Sequence, residues 1–230
     1  MNRKLLTAVA LAAAPLFAAG FASSAMATIE LNVTDVTTGQ TTGNLVGTPI
    51  AGGSDISFSG AVGNWNINLT AGLSLNSAGV TNIDLSSLDV KSSTADTLEL
   101  KLTDNGYSFL PASFTLGAVG NLISCATAPC TATLNDYFDT GNTLFAETTQ
   151  IDGTLGGSSS YNQPVTGAVP VPGSQPYSLT EDLTLTGGGG TTEWSTDSSI
   201  LASVPEPASL TLLGSALLGL GWLGRGRKVA

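Results

Sequence analysis

The chain of 230 residues contains no histidine. This absence excludes a Ser-His-Asp triad, a Cys-His pair and every metal site built on imidazole. Two carboxylic acids can still hydrolyse a glycosidic bond without histidine. The spacing of the glutamates in the central part of the chain singles out no such pair; these glutamates are Glu99, Glu147, Glu181 and Glu193. The sequence therefore predicts a protein that is not an enzyme.

Basic residues are also scarce. Lysine and arginine number 7 against 17 aspartates and glutamates, and the formal net charge is −10. Residues 28–203 hold only two basic residues, Lys91 and Lys101, and every acid except Glu206, which gives this segment a net charge of −14. Such a surface repels nucleic acid and anionic lipid. It suits solubility, cation binding or contact with a neutral polysaccharide.

Cysteine occurs only twice, at Cys125 and Cys130. In an exported protein such a pair favours a disulfide. The closed loop is so short that the bond adds at most about 2 kcal/mol of stability, and its role is to hold a turn. The alternative is a redox or metal-binding pair, but two thiols without histidine do not complete a zinc site.

Apolar residues alternate with polar ones through most of the central segment, and no part of it shows a helical period. The clearest case is Leu98, Leu100 and Leu102, with Glu99 and Lys101 pointing to the other face. A period of two is typical of half-buried strands, and turn residues recur about every 8–12 residues. The sequence therefore predicts an all-β fold, a β-sandwich of jelly-roll or immunoglobulin-like type.

Three segments are predicted to connect strands. Asp104-Asn105-Gly106 is a hairpin-turn signal because Asn and Gly tolerate positive φ. Residues 153–176 are rich in glycine, serine and proline, and predict a long loop inserted within one sandwich rather than a hinge before a separate terminal hairpin. The four glycines at 187–190 predict a flexible turn, since no Lys-Ser or Lys-Thr pair follows them as in a phosphate-binding loop.

Asp136 and Asp139 are the candidate metal ligands. They lie in a run of oxygen-bearing residues around a glycine, residues 136–142, which suits calcium but lacks the spacing of an EF-hand. A plain turn between strands is the alternative. Calcium is the only cofactor that the sequence suggests.

Carbohydrate and ice are two further ligands to weigh. Trp65, Trp194 and Tyr161 have aromatic faces of the kind that stack on sugar rings, although the alternation around Trp65 favours the core. Thr184 and Thr186 share one strand face, but Thr-x-Thr does not recur at the fixed repeat that an ice-binding array requires. Threonine on a solvent face is also ordinary β-propensity.

The N-terminus has the layout of a secretory signal peptide. Arg3 and Lys4 precede an uncharged apolar stretch that ends at Phe21, and residues 25–27 (Ala-Met-Ala) form a small-x-small cleavage site. We expect the Sec translocon to export the chain and signal peptidase to release a mature protein that begins at Thr28.

The C-terminus combines a turn, an apolar segment and a basic tail. These parts are Val204-Pro205-Glu206-Pro207, the uncharged stretch 208–223, and the basic stop of Arg225, Arg227 and Lys228. As a helix the apolar stretch rises about 24 Å, which is short for a hydrocarbon core of about 30 Å. Basic side chains that extend to the interface partly cover the mismatch, and they predict a cytoplasmic C-terminus. The two prolines favour an extended backbone, which a membrane-bound protease needs.

This layout resembles the PEP-CTERM sorting signal of Gram-negative bacteria that make extracellular polysaccharide. The resemblance rests on Val204-Pro205-Glu206-Pro207, the glycine-bearing apolar helix and the basic tail, and covers about the last 27 residues. The same tail is also known as an ice-binding protein C-terminal domain. The resemblance implies that an exosortase, an integral-membrane processing enzyme, cuts near residues 205–207.

Together these features divide the chain into a signal peptide (1–27), a secreted β-sandwich (28–203) and a sorting signal with a single transmembrane helix and a basic tail (204–230). The resemblance implies transient anchoring in the inner membrane with the sandwich in the periplasm, followed by exposure at the cell surface or in the extracellular matrix. The expected function is a structural or adhesive role in exopolysaccharide or biofilm, with no nucleic-acid partner. A calcium-binding, carbohydrate-binding or ice-binding surface module is the alternative.

Overall fold

The computed structural model describes residues 28–77, 80–151, 154–165 and 170–203, together with residues 214, 215, 217 and 218. The described residues form fifteen strands. In chain order these are β1 (Glu30–Asp35), β2 (Gln40–Thr41), β3 (Leu45–Val46), β4 (Thr48–Ile50), β5 (Gly53–Val62), β6 (Trp65–Ser77), β7 (Val80–Ser92), β8 (Thr97–Tyr107), β9 (Ser113–Cys125), β10 (Thr131–Asp139), β11 (Thr149–Gln150), β12 (Leu155–Gly157), β13 (Tyr161–Val165), β14 (Tyr177–Thr186) and β15 (Thr192–Ser203).

The strands form two antiparallel sheets. Sheet A has the order β11-β10-β14-β8-β1-β2, with β12 also paired to β10 and β3 also paired to β1. Sheet B has the order β13-β9-β15-β7-β6-β5-β4. The prediction of an all-β protein is confirmed, and two sheets around a shared core agree with a β-sandwich. The choice between jelly-roll and immunoglobulin-like types stays a prediction.

The core consists of the inward-facing half of each alternating strand. On β8, Leu98, Leu100 and Leu102 are at most 1% exposed, as their period predicts. The largest side chains facing them from sheet B are Trp65 on β6 and Trp194 on β15, both fully buried. Each leucine removed from water in this way stabilises the fold by roughly 1.5–3 kcal/mol before conformational entropy is counted.

The two strands near the end of the described chain are central members of different sheets. Strand β14 lies between β10 and β8 in sheet A, whereas β15 lies between β9 and β7 in sheet B. They do not pair as a terminal hairpin. The glycine- and proline-rich segment before them contributes the short strands β12 and β13, one to each sheet. This agrees with an insertion within one sandwich.

The hairpin predicted at Asp104-Asn105-Gly106 is wrong, because β8 runs through these residues without reversing. Gly106 does have positive φ, at 78°. It lies in a β-bulge, in which the four residues of β8 from Asp104 to Tyr107 lie opposite the three residues of β14 from Leu179 to Tyr177. The bulge re-aims the end of the strand and leaves the Asp104 side chain fully buried.

The disulfide between Cys125 and Cys130 is present, as predicted, with the two Cα atoms 6.1 Å apart. It closes the connection by which the chain crosses from β9 in sheet B to β10 in sheet A. The four-glycine connector between β14 and β15 crosses back beside it. A Cβ atom on Gly188 would lie 1.9 Å from the carbonyl oxygen of Thr127. The glycines therefore permit close packing of two crossovers, which the prediction of a flexible turn did not include.

The predicted signal peptide and nearly all of the predicted transmembrane helix lie outside the described residues. Residues 214, 215, 217 and 218 have helical geometry. Within the described part of the chain, no helix combines the length and the apolar character needed to cross a membrane. The three segment boundaries given above stay predictions.

Candidate functional site

An open depression of about 370 Å³ lies on the outer face of sheet B, the face turned away from sheet A. Four neighbouring strands, β5, β6, β7 and β15, form it. Its floor on β5 consists of small residues, Ser59, Gly60 and Ala61, so longer side chains from the other strands rise around it. We call it the sheet B depression. Its principal polar side chains are Ser59, Asn66, Asn68, Asp89, Lys91 and Glu193.

Strand register places these side chains in two parallel rows. Asn66 pairs with Lys91, which pairs in turn with Glu193. In the next row, Asn68 pairs with Asp89, which pairs with Ser195. Their inward-facing neighbours include Trp65, Ile67 and Leu69 on β6, which are buried in the core. The alternation that builds the core thus also fixes the rows.

Most of the polar groups in the depression have no partner within the described chain. Lys91 and Glu193 form one ion pair at 3.8 Å, with the lysine side chain 57% exposed. Ser59, Asn66, Asn68 and Asp89 make no side-chain hydrogen bond or ion pair with any described residue. Their donors and acceptors therefore face solvent and are available to a ligand.

The outer face of sheet A is different, because its polar groups are bound to one another. The Lys101 ammonium contacts carboxylates of Glu147 at 2.5 Å, Glu99 at 3.3 Å and Asp182 at 3.8 Å. We call these four residues the Lys101 cluster. Burial opposes the charge on Lys101, but the hydrogen bond to Glu147 and the charges of Asp182 and Glu99 outweigh it and raise the pKa of the lysine.

Asp182 in this cluster is 7% exposed. Burial raises its pKa to about 7, against the opposing effect of Lys101 and with the help of Glu99 and Glu147. The segment between β10 and β11 covers this part of the sheet: it supplies Glu147, and its Phe145 amide donates to the Thr103 hydroxyl at 3.1 Å. The Lys101 cluster is therefore a closed, structural arrangement.

A second group of acids lies in the interior. Asp136 on β10 and Glu181 on β14 face each other in register, and both are fully buried. Burial, followed by the charges of Asp136 and Asp84, raises the pKa of Glu181 well above its usual range, while the Ser198 hydroxyl acts in the opposite direction. The interior therefore favours the neutral, protonated form of Glu181. Glu181 and the adjacent Asp182 are both buried, because both faces of β14 are covered.

The predicted metal ligands do not converge. Asp136 points into the interior, whereas Asp139, an odd number of positions further on, lies on the opposite face of the strand. The Asp139 carboxylate accepts a hydrogen bond from the Thr143 amide at 3.0 Å, which ties down the turn after β10. Among the residues that the structure describes, no group of three acids or cysteines is arranged to hold a metal ion.

The predicted sugar-stacking aromatics are turned inward. Trp65 and Trp194 are fully buried. The ring of Tyr161 tilts against Trp194 with the centroids 6.3 Å apart, and its hydroxyl lies 3.3 Å from that of Thr196. None of the three lines the sheet B depression. The four glutamates named above are likewise dispersed: Glu99 and Glu147 contact Lys101, Glu181 is interior, and Glu193 lies at the depression.

The predicted sorting residues Val204, Pro205, Glu206 and Pro207 lie outside the described residues, as do Arg225, Arg227 and Lys228. Strand β15, a central strand of sheet B, ends at Ser203. The folded part of the chain thus continues up to the residue before Val204.

The residues described between 28 and 203 form an all-β body, and its last strand reaches Ser203. Residues 203–228 match the family model of the PEP-CTERM protein-sorting motif. The chain therefore carries this motif, as the sequence predicted, and the motif implies an exported protein that is sorted by an exosortase. A search among curated proteins finds no match to the chain.

Solved structures offer two distant likenesses. The structure of TmCBM61 in complex with β-1,4-galactotriose is 10% identical, with a TM-score of 0.34, over 60% of this chain and 88% of the other. The enzymatically active domain of tailspike protein 4 of bacteriophage CBA120 is 14% identical, with a TM-score of 0.31. That match covers 61% of this chain but only 19% of the tailspike chain. At such scores the likenesses carry no argument about activity.

Proposed function

We propose that the protein is a non-catalytic component of the cell surface or of the extracellular polysaccharide matrix, with a structural or adhesive role, and that an exosortase delivers it there. The observation that carries this proposal is the PEP-CTERM motif at residues 203–228, which begins where the last strand ends. Processing within the motif would leave the sandwich complete.

Several features support a role without catalysis. Histidine is absent from the chain. Glu99 and Glu147 both form ion pairs with Lys101, and Glu181 is buried in the interior, where no substrate reaches it. Retaining or inverting glycosidases instead need two carboxyl groups that flank an accessible bond. Long antiparallel sheets with a cross-linked crossover suit a durable extracellular body.

Intact-mass measurement tests the sorting step. The full chain is produced in a bacterium with an exosortase and in an isogenic strain without the enzyme. We expect the first strain to yield a species that begins at Thr28 and ends near Pro205–Pro207, and the second to retain the C-terminal residues. Replacing both motif prolines, Pro205→Ala with Pro207→Ala, should reduce processing, while Pro170→Ala, outside the motif, should not.

A species that still ends at Ala230 in the strain with the exosortase would refute the sorting proposal. The matrix role has its own readout. The processed protein should be recovered with the sedimentable polysaccharide fraction of the culture, and a strain that lacks the protein should attach less firmly to a surface under flow. Recovery only as free protein in the medium, with unchanged attachment, would contradict a structural or adhesive role.

A further inference from the structure

We propose that the sheet B depression is a binding site for an uncharged polysaccharide, recognised through its hydroxyl groups. The inference deepens the proposed function, on which it rests, by assigning the partner class and the surface that holds it. Of the residues named from the sequence, Lys91 and Glu193 lie at this site, and the acidity of the protein already favoured neutral polysaccharide as a partner.

Hydrogen-bonding chemistry is the first argument. A sugar hydroxyl both donates and accepts, so a complementary surface needs both kinds of group. The Asn66 and Asn68 amides supply donors and acceptors, Asp89 supplies acceptors, and Lys91 supplies donors. These groups lie on adjacent strands about 4.8 Å apart, and the asparagines are two positions apart on one strand. A chain of hydroxyls can meet them without rearrangement of the backbone.

The free state of these groups is the second argument. Some surface asparagines elsewhere are engaged: Asn135 accepts from Gln150 at 3.1 Å and from Thr154 at 2.9 Å, and Asn32 donates to Asn44 at 3.0 Å. In the depression, by contrast, Asn66, Asn68 and Asp89 keep their full hydrogen-bonding capacity among the described residues. A ligand there gains bonds without breaking internal ones.

Charge decides which polysaccharide fits. The rim carries two acids, Asp89 and Glu193, and one lysine, Lys91, and residues 28–203 carry −14 as a whole. A chain of uronates or sulfated sugars would therefore be repelled both locally and at long range. A neutral chain meets no such barrier.

Shape is the last argument. The floor at Ser59, Gly60 and Ala61 is low, and the depression is open across four strands, or roughly 14 Å at about 4.8 Å per strand. The volume of about 370 Å³ lies within the range of ligand sites in proteins. Because the floor of the depression is open, it suits an internal stretch of a long polymer rather than the end of one. Since no aromatic ring lines it, affinity comes from hydrogen bonds.

Affinity electrophoresis in native gels tests the proposal. The protein released by the exporting strain is run through gels containing dextran, galactomannan, mixed-linkage β-glucan or the uronate-free polysaccharide of the host, with alginate as the anionic comparison. We expect retardation by at least one neutral polymer and none by alginate. Asn68→Ala combined with Asp89→Ala should weaken that retardation at least tenfold, because two or more hydrogen bonds are lost. The matched control, Asn162→Ala on edge strand β13, should leave it unchanged.

Both variants replace exposed side chains, and equal melting temperatures will show that they fold. No retardation by any neutral polymer overturns the proposal, and so does retardation that survives the double substitution. Asn68 also begins an Asn-Leu-Thr glycosylation sequon. A mass increase that maps to Asn68 in the released protein would mean that an attached glycan occupies the depression, and it would overturn the proposal as well. Sorting is read from the termini in the same mass spectrum, so its failure is distinguished from a failure of binding.

Discussion

The two sheets share one core but treat acidic residues in opposite ways. Seven acids are buried among the described residues, and six of them lie on strands of sheet A; these six are Asp35, Asp104, Asp136, Asp139, Glu181 and Asp182. The acids on the strands of sheet B are all at least partly exposed; these are Asp55, Asp84, Asp89, Glu193 and Asp197. Sheet A thus buries most of the acidic side chains on its strands, while the acidic side chains on sheet B stay at least partly exposed.

Coverage of the outer face explains part of this difference, the burial of Asp139 and Asp182, whereas Asp136 and Glu181 are buried because they point into the interior. The outer face of sheet A is overlaid by the segment between β10 and β11, which reaches Thr103 and Ser178 through hydrogen bonds and Lys101 through Glu147. Nothing comparable overlies the rows of Asn66 and Asn68 among the described residues. A covered face must satisfy its polar groups internally, whereas an open face can keep them for a partner. The contrast therefore supports the proposal that the open face of sheet B holds a partner.

The largest expected difference between the two sheets is in the pH dependence of stability, which the buried acids of sheet A should cause. Burial raises the pKa of Asp104 to about 6, although hydrogen bonds from Ser74 and Asn105 lower it in part and the charge of Glu30 adds to the rise. Below about pH 4 Asp104 is protonated in both folded and unfolded chains. As the pH rises from about 4 to 6, the unfolded chain ionises first, and Asp104 alone reduces the free energy of unfolding by up to about 3 kcal/mol. Asp182 acts in the same direction up to about pH 7.

Two other acids, Asp35 and Asp139, have the opposite effect on stability, at low pH. Backbone hydrogen bonds outweigh burial and lower the pKa of Asp35 and of Asp139, so the stability they provide is lost as the pH falls below about 4. We therefore expect maximum stability near pH 4–5. Urea unfolding between pH 3 and 8 measures it. Asp104→Asn should reduce the decline in the free energy of unfolding towards neutral pH, while Asp89→Asn on sheet B should not. If the free energy of unfolding declined with the same slope in both variants, the distinction between the sheets would be wrong.

A pair of lysine substitutions gives the next largest effect. Lys101→Met leaves three carboxylates without their cation, one of them on the buried Asp182, and we expect a loss of about 2–3 kcal/mol at pH 7. The loss should shrink at pH 5, where Asp182 is protonated. Lys91→Met removes a single exposed ion pair and should cost less than about 1 kcal/mol. Similar melting temperatures for the two variants would show that the Lys101 cluster is no more structural than a surface pair.

Local patterns predicted the fold well and the chemistry poorly. The alternation at Leu98, Leu100 and Leu102 identifies an inward face because a strand's period depends only on its own residues. The same reasoning failed to reveal that Glu181 is buried, since its burial depends on β10 and β8 lying on both sides of β14 and on sheet B packing against its inner face. It failed again at Gly106, because positive φ serves a bulge as well as a hairpin turn.

The sheet B depression needed long-range register to be seen. Asn66 and Asn68 alternate with buried Trp65, Ile67 and Leu69, and this signal marked an exposed polar strand face. It did not show that Asp89 and Lys91 would lie directly beside them, because the register of β6 against β7 is a property of the folded sheet. The sequence signal that would have found the site is an Asn-x-Asn or Asp-x-Lys pattern on the outer face of a predicted strand.

The smallest expected difference between the sheets is that between substitutions of one asparagine on each. Asn135 on sheet A accepts hydrogen bonds from Gln150 and Thr154, so Asn135→Ala should lower the free energy of unfolding by about 1 kcal/mol. Asn68→Ala on sheet B removes no bond to a described residue and should change it by less than about 0.5 kcal/mol. Urea unfolding at pH 5, near the stability maximum, measures this difference, since Asp104 and Asp182 are then largely protonated. If Asn68→Ala proved as costly as Asn135→Ala, the polar rows of sheet B would belong to the fold, and the case for reserving them for a ligand would fail.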